Sequence, residues 1–372
     1  MTILGGYFRE LTGATIDGWN RFWFTPQDPA TLGLIRIFAG AMLFYTHLIW
    51  SLDLEGFFGA GGWLAPDALT SAYGEARDLF WSHWHWVSSP AAMWTIHVMA
   101  LAVFALLTVG FYTRVMSVLA WLFTVSYAHR VMPAALFGLD DINSMLAMYL
   151  MIGPAGAAFS VDSWLARRRS RAGEGAQRAA DRVPAAAGKL RAEGRGQGGA
   201  HSGSQAPPGN PLPSRLRLAR GTGSCAPSVT ANVAIRLMQV HLCIIYLFSG
   251  LGKAMGETWW DGSAMWLAVA NYEYQSIDLT RLARWPELLS LLAHVTVAWE
   301  LSYPALVWPR LTRPIVVAMS VPIHLGIALF LGMMTFGLAM IIANLAFVSP
   351  WIVRGAMNRT PQQGRGGEGR AA

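Results

Sequence analysis

The sequence predicts an all-α integral membrane protein, a polytopic bundle of about eight transmembrane helices in two halves joined by a disordered basic linker. Hydrophobic residues fill 54% of the 372 positions and charged residues only 13%, against about 45–50% and about 25% in soluble domains. Apolar runs long enough to cross a bilayer recur on both sides of one long polar interruption. The 17 tryptophans suit the aromatic belts at a membrane boundary. A net charge of +7 would suit a nucleic-acid binder, but its position excludes that class. Residues 162–220 hold twelve basic and four acidic groups, which accounts for the excess.

Residues 1–31 place Phe8, Trp19, Phe22, Trp23 and Phe24 among charges, without the pattern of a cleaved signal peptide. They read as an interfacial segment lying on the bilayer. The first membrane half covers 32–161. It opens with a span at Leu32–Trp50, despite Arg36 and His47. The loop 51–91 carries Asp53, Glu55, Asp67, Glu75, Arg77 and Asp78, then the run Trp81 to Trp86. His83 and His85 in that run are either the start of a metal site or boundary residues. Met93–Gly110 and Val115–Ala128 form a helical pair about a turn at Arg114, and Ile142–Phe159 follows Asp140 and Asp141 as the fourth span.

From 162 to 230 the composition turns to Gly, Ala, Pro, Ser and Arg, too poor in large apolar side chains to offset the entropy of ordering. This is the expected linker. The second half, 231–353, contains Ala231–Leu251, Glu287–Trp308, Pro314–Gly332 and Thr335–Val353, and 354–372 is an expected disordered tail. Cytoplasmic loops are enriched in Lys and Arg. The basic linker, Arg9 and Arg21, Arg114, Arg310 and Arg313, and Arg354 and Arg359 then all fall on the inner side. Both termini are therefore expected in the cytoplasm, with the protein in a bacterial inner membrane.

Ionisable groups inside a bilayer are costly and tend to mark function. Lys253 ends the apolar helix that begins near Ala231, and the sequence has one other lysine, Lys189 in the linker. A guanidinium keeps its proton, whereas a desolvated lysine can release one and act as a base; the alternative is a lysine that snorkels to the interface. Glu300 is either functional or paired with an arginine such as Arg36 or Arg236. Those two arginines, near the inner ends of their helices, are expected to snorkel. His324, two residues after Pro322, either serves a site or satisfies a carbonyl that the proline frees one turn earlier. His97, His241 and His294 invite the structural reading. No hydrolase triad or phosphate-cradling loop is visible. No metal is expected, the exposed group Asp140, Asp141 and His129 being the nearest approach to a cation site.

The stretch Tyr246-Leu-Phe-Ser-Gly250-Leu-Gly-Lys253, with Trp259, Trp260 and Gly262 after it, resembles the membrane motif of the HTTM family, to which the vitamin K-dependent gamma-carboxylase belongs. Asp28, Leu32, Arg36 and Gly40 are similar to that family's first-helix signature. His324, Leu329-Phe330 and Gly332-Met333 resemble its late motif. The resemblance implies Lys253 as the catalytic base with His324 in support, and a reduced, vitamin K-like quinone as cofactor. Asn143 matches the residue that would hydrogen-bond the quinone; Trp259 and Glu300 join it as candidate cofactor-binding residues. Ser144 and Gly252 depart from the carboxylase, which carries His and a second Lys there. The chain also has only a short tail where the carboxylase has an extra-membrane domain. The expectation is therefore Lys-dependent chemistry on a lipid-soluble quinol or similar hydrophobic molecule, or on a peptide, at the lipid bilayer and without nucleic acid. The alternative is a non-catalytic transporter or an assembly or maturation factor for a secreted product.

Overall fold

A computed structural model describes residues 3–59, 61–63, 71, 81–135, 138–173, 225–273 and 275–357, and among these every extended element is helical. Most of the expected linker, residues 174–224, lies outside the described residues, as do Asp67, Glu75, Arg77 and Asp78 of the acidic loop and the tail from 358. The helices are α1 (Ile3–Phe24), α2 (Ala30–Trp50), α3 (Leu54–Phe58), α4 (Pro90–Val109), α5 (Thr113–Ala135) and α6 (Gly138–Ile152). After the interruption come α7 (Val229–Ala254), α8 (Glu257–Trp260), α9 (Ala264–Val269), α10 (Pro286–Leu306), α11 (Arg313–Phe330), α12 (Met334–Asn344) and α13 (Pro350–Met357).

By length and composition, four of the described helical stretches can cross a membrane: Ala30–Phe58, Pro90–Val109, Val229–Ala254 and Arg313–Phe330. A fifth is reached if Met334–Phe347 and Pro350–Met357, bent by 113°, count as one broken span. This differs from the eight runs read in the sequence for identifiable reasons. Helices α5 and α10 have 23 and 21 residues, but His129 and Arg130 in one, and Glu287, His294 and Glu300 in the other, dilute their apolar character. The fourth expected span is broken. Helix α6 stops at Ile152 after 15 residues, about 22 Å of helix against a hydrocarbon core of about 30 Å. Gly153 and Pro154 end it, and Phe159 sits at φ 52°. The helix resumes at 161 and continues to 173, so residues 162–173 belong to an ordered element rather than to the linker.

Arg36 explains the irregular turn. Its guanidinium is fully buried, and it donates to the carbonyls of Ala155 (3.1 Å), Leu107 (2.7 Å), Thr108 (2.7 Å) and Phe159 (2.6 Å). Those acceptors lie at the end of α4, where the Leu107 carbonyl also accepts from the Gly110 amide at 3.1 Å, and in the 153–160 turn. The expectation that Arg36 snorkels is therefore wrong: it is a clamp inside the protein. Gly110 closes α4 at φ 75°, and a Cβ there would stand 2.5 Å from Nη1 of Arg36. Arg236 does not reach solvent freely either. It lies over the ring of Phe22 at 4.4 Å and bonds Oε1 of Gln239 at 3.0 Å.

Two hydrophobic cores result. One joins Leu43, Phe58, Trp84, Phe104 and Tyr127 within the first half. The other draws Leu32 and Ile35 from α2 and Met145 and Tyr149 from α6 into contact with Met238 and Tyr246 of α7, Trp299 and Tyr303 of α10, and Met340 of α12. The halves are thus interleaved, with α2 and α6 serving both cores. Arg354 of α13 ties back to Asp28 before α2 at 2.6 and 2.7 Å.

Candidate functional site

The central polar group is built on one face of α7. Tyr246, Ser249, Gly250 and Lys253 are spaced at three, four and seven residues, so they share a face over two turns, about 10 Å of helix. Facing them on α10 are Glu300 and Tyr303. Gly250 sets the distance between the helices: a Cβ on it would lie 3.1 Å from Cβ of Glu300 and from Leu301.

Lys253 Nζ donates to Glu300 Oε2 at 2.8 Å, Glu300 Oε1 at 3.0 Å and Ser249 Oγ at 2.6 Å. Its charge stands 5.5 Å from the centroid of Trp259, on the short helix α8 that folds back over it. The Glu300 side chain is 9% exposed and that of Lys253 is 23% exposed. The acid is therefore inside the bundle, while the amine reaches its edge. Lys253 is the partner of Glu300; neither Arg36 nor Arg236 is.

Below this pair runs a directional chain of hydrogen bonds. Tyr303 donates to Oδ1 of Asn344 at 2.7 Å. Nδ2 of Asn344 donates to Tyr246 Oη at 2.8 Å and to the Met340 carbonyl at 2.9 Å. His324 Nδ1 donates to the Ser320 carbonyl at 2.7 Å, which leaves Nε2 as the acceptor facing Tyr246 Oη at 3.4 Å. The histidine does satisfy a carbonyl, as the structural reading expects, but it is that of Ser320. Trp299 packs against Tyr246, Tyr303 and His324, with ring centroids 4.8, 5.3 and 6.2 Å apart, and donates to the Val316 carbonyl at 3.2 Å.

The structure therefore brings Lys253, Glu300 and Trp259 together, with His324 in the adjoining network through Tyr246. Asn143 is placed on α6, 3% exposed, and its Oδ1 has no hydrogen-bond partner; none of its hydrogen bonds joins it to Lys253 among the described residues. Sequence reasoning did not single out Tyr246, Tyr303 or Asn344 as site residues. An amide inside an apolar run was the available signal for Asn344, and the helical offsets from Lys253 and Glu300 were the signal for the tyrosines. Known protein families, curated proteins and solved structures offer no match to this chain.

The other expected residues lie apart. His97 bridges Ser51 Oγ (2.7 Å) and Tyr127 Oη (2.6 Å). His241 meets Tyr149 Oη at 3.0 Å. Among the described residues no group of three His, Cys, Asp or Glu side chains is arranged to hold a metal ion; Asp140, Asp141 and His129 do not form one. His83 meets Ser126 Oγ at 2.5 Å in the segment ahead of α4, and burial pushes its imidazole down to about 4.

The arrangement can do two things chemically. It can neutralise a charge within the bundle, because the carboxylate and ammonium form one bidentate unit. It can also move a proton between two close heteroatoms, since transfer from Nζ to Glu300 converts an ion pair to a neutral amine and acid with no change in net charge.

Proposed function

We propose that this is an integral membrane protein that acts on a lipid-soluble molecule at Lys253, with Glu300 as the group that exchanges the lysine proton. The observation that carries this reading is the position of Lys253. It sits at the edge of an apolar bundle, bonded to an acid inside it and beside an aromatic ring. An arginine could also pair with Glu300 as a structural tie, but its guanidinium could not release a proton as a lysine can. The resemblance to the HTTM family supports a reduced quinone as the substrate class. Two observations support it: Lys253 is bonded to an acid that can take its proton, after which the amine can receive that of an acidic hydroxyl, and Asn143, on a different helix, has a buried Oδ1 without a partner that can accept a hydrogen bond. Bound, a reduced quinone would supply an acidic hydroxyl and two reducing equivalents. Lys253 would first pass its proton to Glu300 and then, as the neutral amine, take the hydroxyl proton; Trp259 would exclude water, and His324 with Tyr246 would fix the floor. With this we propose eight spans, a cytoplasmic side that holds both termini, and a bacterial inner membrane.

The second reading is a transporter or maturation factor without chemistry, in which the same pair is a structural tie. The bidentate geometry and the close approach at Gly250 favour it. Extraction in mild detergent followed by mass spectrometry of retained small molecules separates the two, using wild type, Lys253→Ala and Lys253→Arg. The enzyme reading expects a quinone in the wild type, its loss from Lys253→Ala, and no turnover of a reduced naphthoquinone by Lys253→Arg. Equal retention in all three, or full function in Lys253→Arg, would establish the structural reading instead.

A further inference from the structure

The helix at 161–173 takes no part in the Lys253 site, and its composition departs abruptly from that of the apolar helices before it. From 163 to 173 it carries Arg167, Arg168, Arg169 and Arg171 and no acidic residue. Trp164, Arg167, Arg168 and Arg171 stand at offsets of three, four and seven, so they share one face over about two turns. Arg169 falls on the opposite side. Arg168 lies over the Trp164 ring at 4.3 Å, yet Trp164 is still 46% exposed. The ion pairs among the described residues are Lys253–Glu300 and Arg354–Asp28, so none of these arginines has a carboxylate partner there.

The start of this helix is fixed in the bundle. Asp162 accepts from the Tyr112 amide at 2.9 Å and from the Thr113 amide and hydroxyl at 2.8 and 2.7 Å, while its own amide donates to the Gly110 carbonyl at 3.0 Å. The Ser163 amide donates to Ser160 Oγ at 2.9 Å and its Oγ accepts from the Ser160 amide at 3.3 Å. These bonds hold the helix at the end of the bundle where α4 and α6 stop and α5 and α7 begin. The carboxylate of the segment is thereby spent on the turn, where Arg114 and Tyr112 are exposed. A cationic face with an open indole thus leaves the molecule at a boundary of its apolar helices. Indole rings collect at the headgroup level of a bilayer, and arginines clustered beside a span meet lipid phosphates there. A nucleic acid would also offer phosphates, but the place of this face beside apolar helices favours lipid.

We propose that the face formed by Trp164, Arg167, Arg168 and Arg171 docks on anionic phospholipid, the arginines bonded to headgroup phosphates and the indole set among them. The proposal rests on the bilayer placement given above and is independent of the chemistry at Lys253. It also differs from a simple count of positive charge, in which Arg169 would weigh as much as Arg167 or Arg171.

The test is hydrogen exchange of the full chain in nanodiscs of phosphatidylcholine alone and of phosphatidylcholine mixed with phosphatidylglycerol. An arginine near an anionic surface contributes about fivefold in binding. Amides of 164–173 in wild type are therefore expected to exchange at least about fivefold more slowly in the mixed discs at low salt. The difference is expected to vanish at about 1 M salt, where charges are screened beyond about 3 Å. Arg167→Gln with Arg171→Gln is expected to abolish the difference and Arg169→Gln to leave it. Each variant is referred to its own exchange in phosphatidylcholine, so that any fraying of the helix by the substitution cancels. Equal exchange of wild type in the two discs would overturn the proposal, as would a loss of protection in Arg169→Gln as complete as in the paired variant. Protection of the same amides by an RNA oligonucleotide in phosphatidylcholine discs, with none from phosphatidylglycerol, would overturn it in favour of a nucleic-acid face. A chain that does not enter the discs at all would refute the bilayer placement itself, and the proposal with it.

Discussion

Glu300 and Arg36 are the two buried charges whose surroundings decide most at the scale of single residues, and they are satisfied in opposite ways. Glu300 has a counter-charge. Arg36 has none within hydrogen-bonding reach and relies on four backbone carbonyls. Removing one member of a buried ion pair leaves the other uncompensated, at a cost of about 3–5 kcal/mol. Because Lys253 keeps 23% exposure, Glu300→Leu should sit at the low end, about 3 kcal/mol. Glu300→Leu combined with Lys253→Met should recover most of that loss, as a double-mutant cycle of unfolding in detergent would show; two additive losses would refute the pairing as an energetic unit. For Arg36, the conservative change is the informative one. Lysine has one nitrogen to offer where the guanidinium spreads its donors over several directions, so Arg36→Lys leaves some of these carbonyls unmet. Each unmet buried acceptor costs about 1–3 kcal/mol, and a substantial drop in thermal stability is expected even though the charge is kept.

Helix ends and close approaches show where the sequence was legible at the scale of elements and where it was not. Runs such as Leu32–Trp50 and Ala231–Leu251 appear within a few residues of their expected positions, because apolar length is a local property. Lys253, Glu300 and His324 were legible one at a time, since each is a polar type in an apolar run. Their grouping was not, because it depends on helices 47 and 78 positions apart. The stop at Ile152 was hidden for another reason: Gly153 to Phe159 is itself apolar, so composition continues across a break that only Gly153-Pro154 signals. Arg36 was misread because its acceptors come from α4 and the 153–160 turn, neither of which its own neighbourhood reveals. Gly250 tests the element-level claim that α7 and α10 meet at the distance a hydrogen atom allows. Gly250→Val should force Glu300 and Leu301 away and separate the acid from Lys253. On the proposed function, weaker retention of a reduced naphthoquinone by Gly250→Val than by wild type, with Gly250→Ala intermediate, is the expected order; no change in retention would show that the spacing is not critical. The segment before α4 has a pH signature of its own. His83 falls from 6.5 to about 4 through burial, so the folded state prefers the neutral ring. Its contribution is complete above about pH 6.5 and is lost as pH falls toward about 4. Hydrogen exchange in 81–89 should therefore rise over that interval in wild type and flatten in His83→Gln.

Across the whole molecule, the interleaving of the two cores governs how the protein comes apart. Helix α2 gives Leu43 to one core and Leu32, Ile35 and Ala39 to the other, and α6 gives Ala147 to the first and Met145, Leu146 and Tyr149 to the second. Two membrane halves joined only by a linker would unfold separately, and a substitution in one would leave the other's transition unmoved. Shared helices remove that independence: loosening either core shifts two elements that the other core needs. Phe104→Ala, in the first core, and Trp299→Ala, beside the Lys253 site, should each cost about 3–5 kcal/mol. Both should displace one common unfolding transition, followed by cysteine accessibility at Cys243 and by tryptophan fluorescence. On the proposed function, Phe104→Ala should also weaken retention of a reduced naphthoquinone at Lys253, although Phe104 belongs to the other core. Two resolved transitions, with Phe104→Ala moving one alone and leaving retention intact, would show that the second half holds its site without the first.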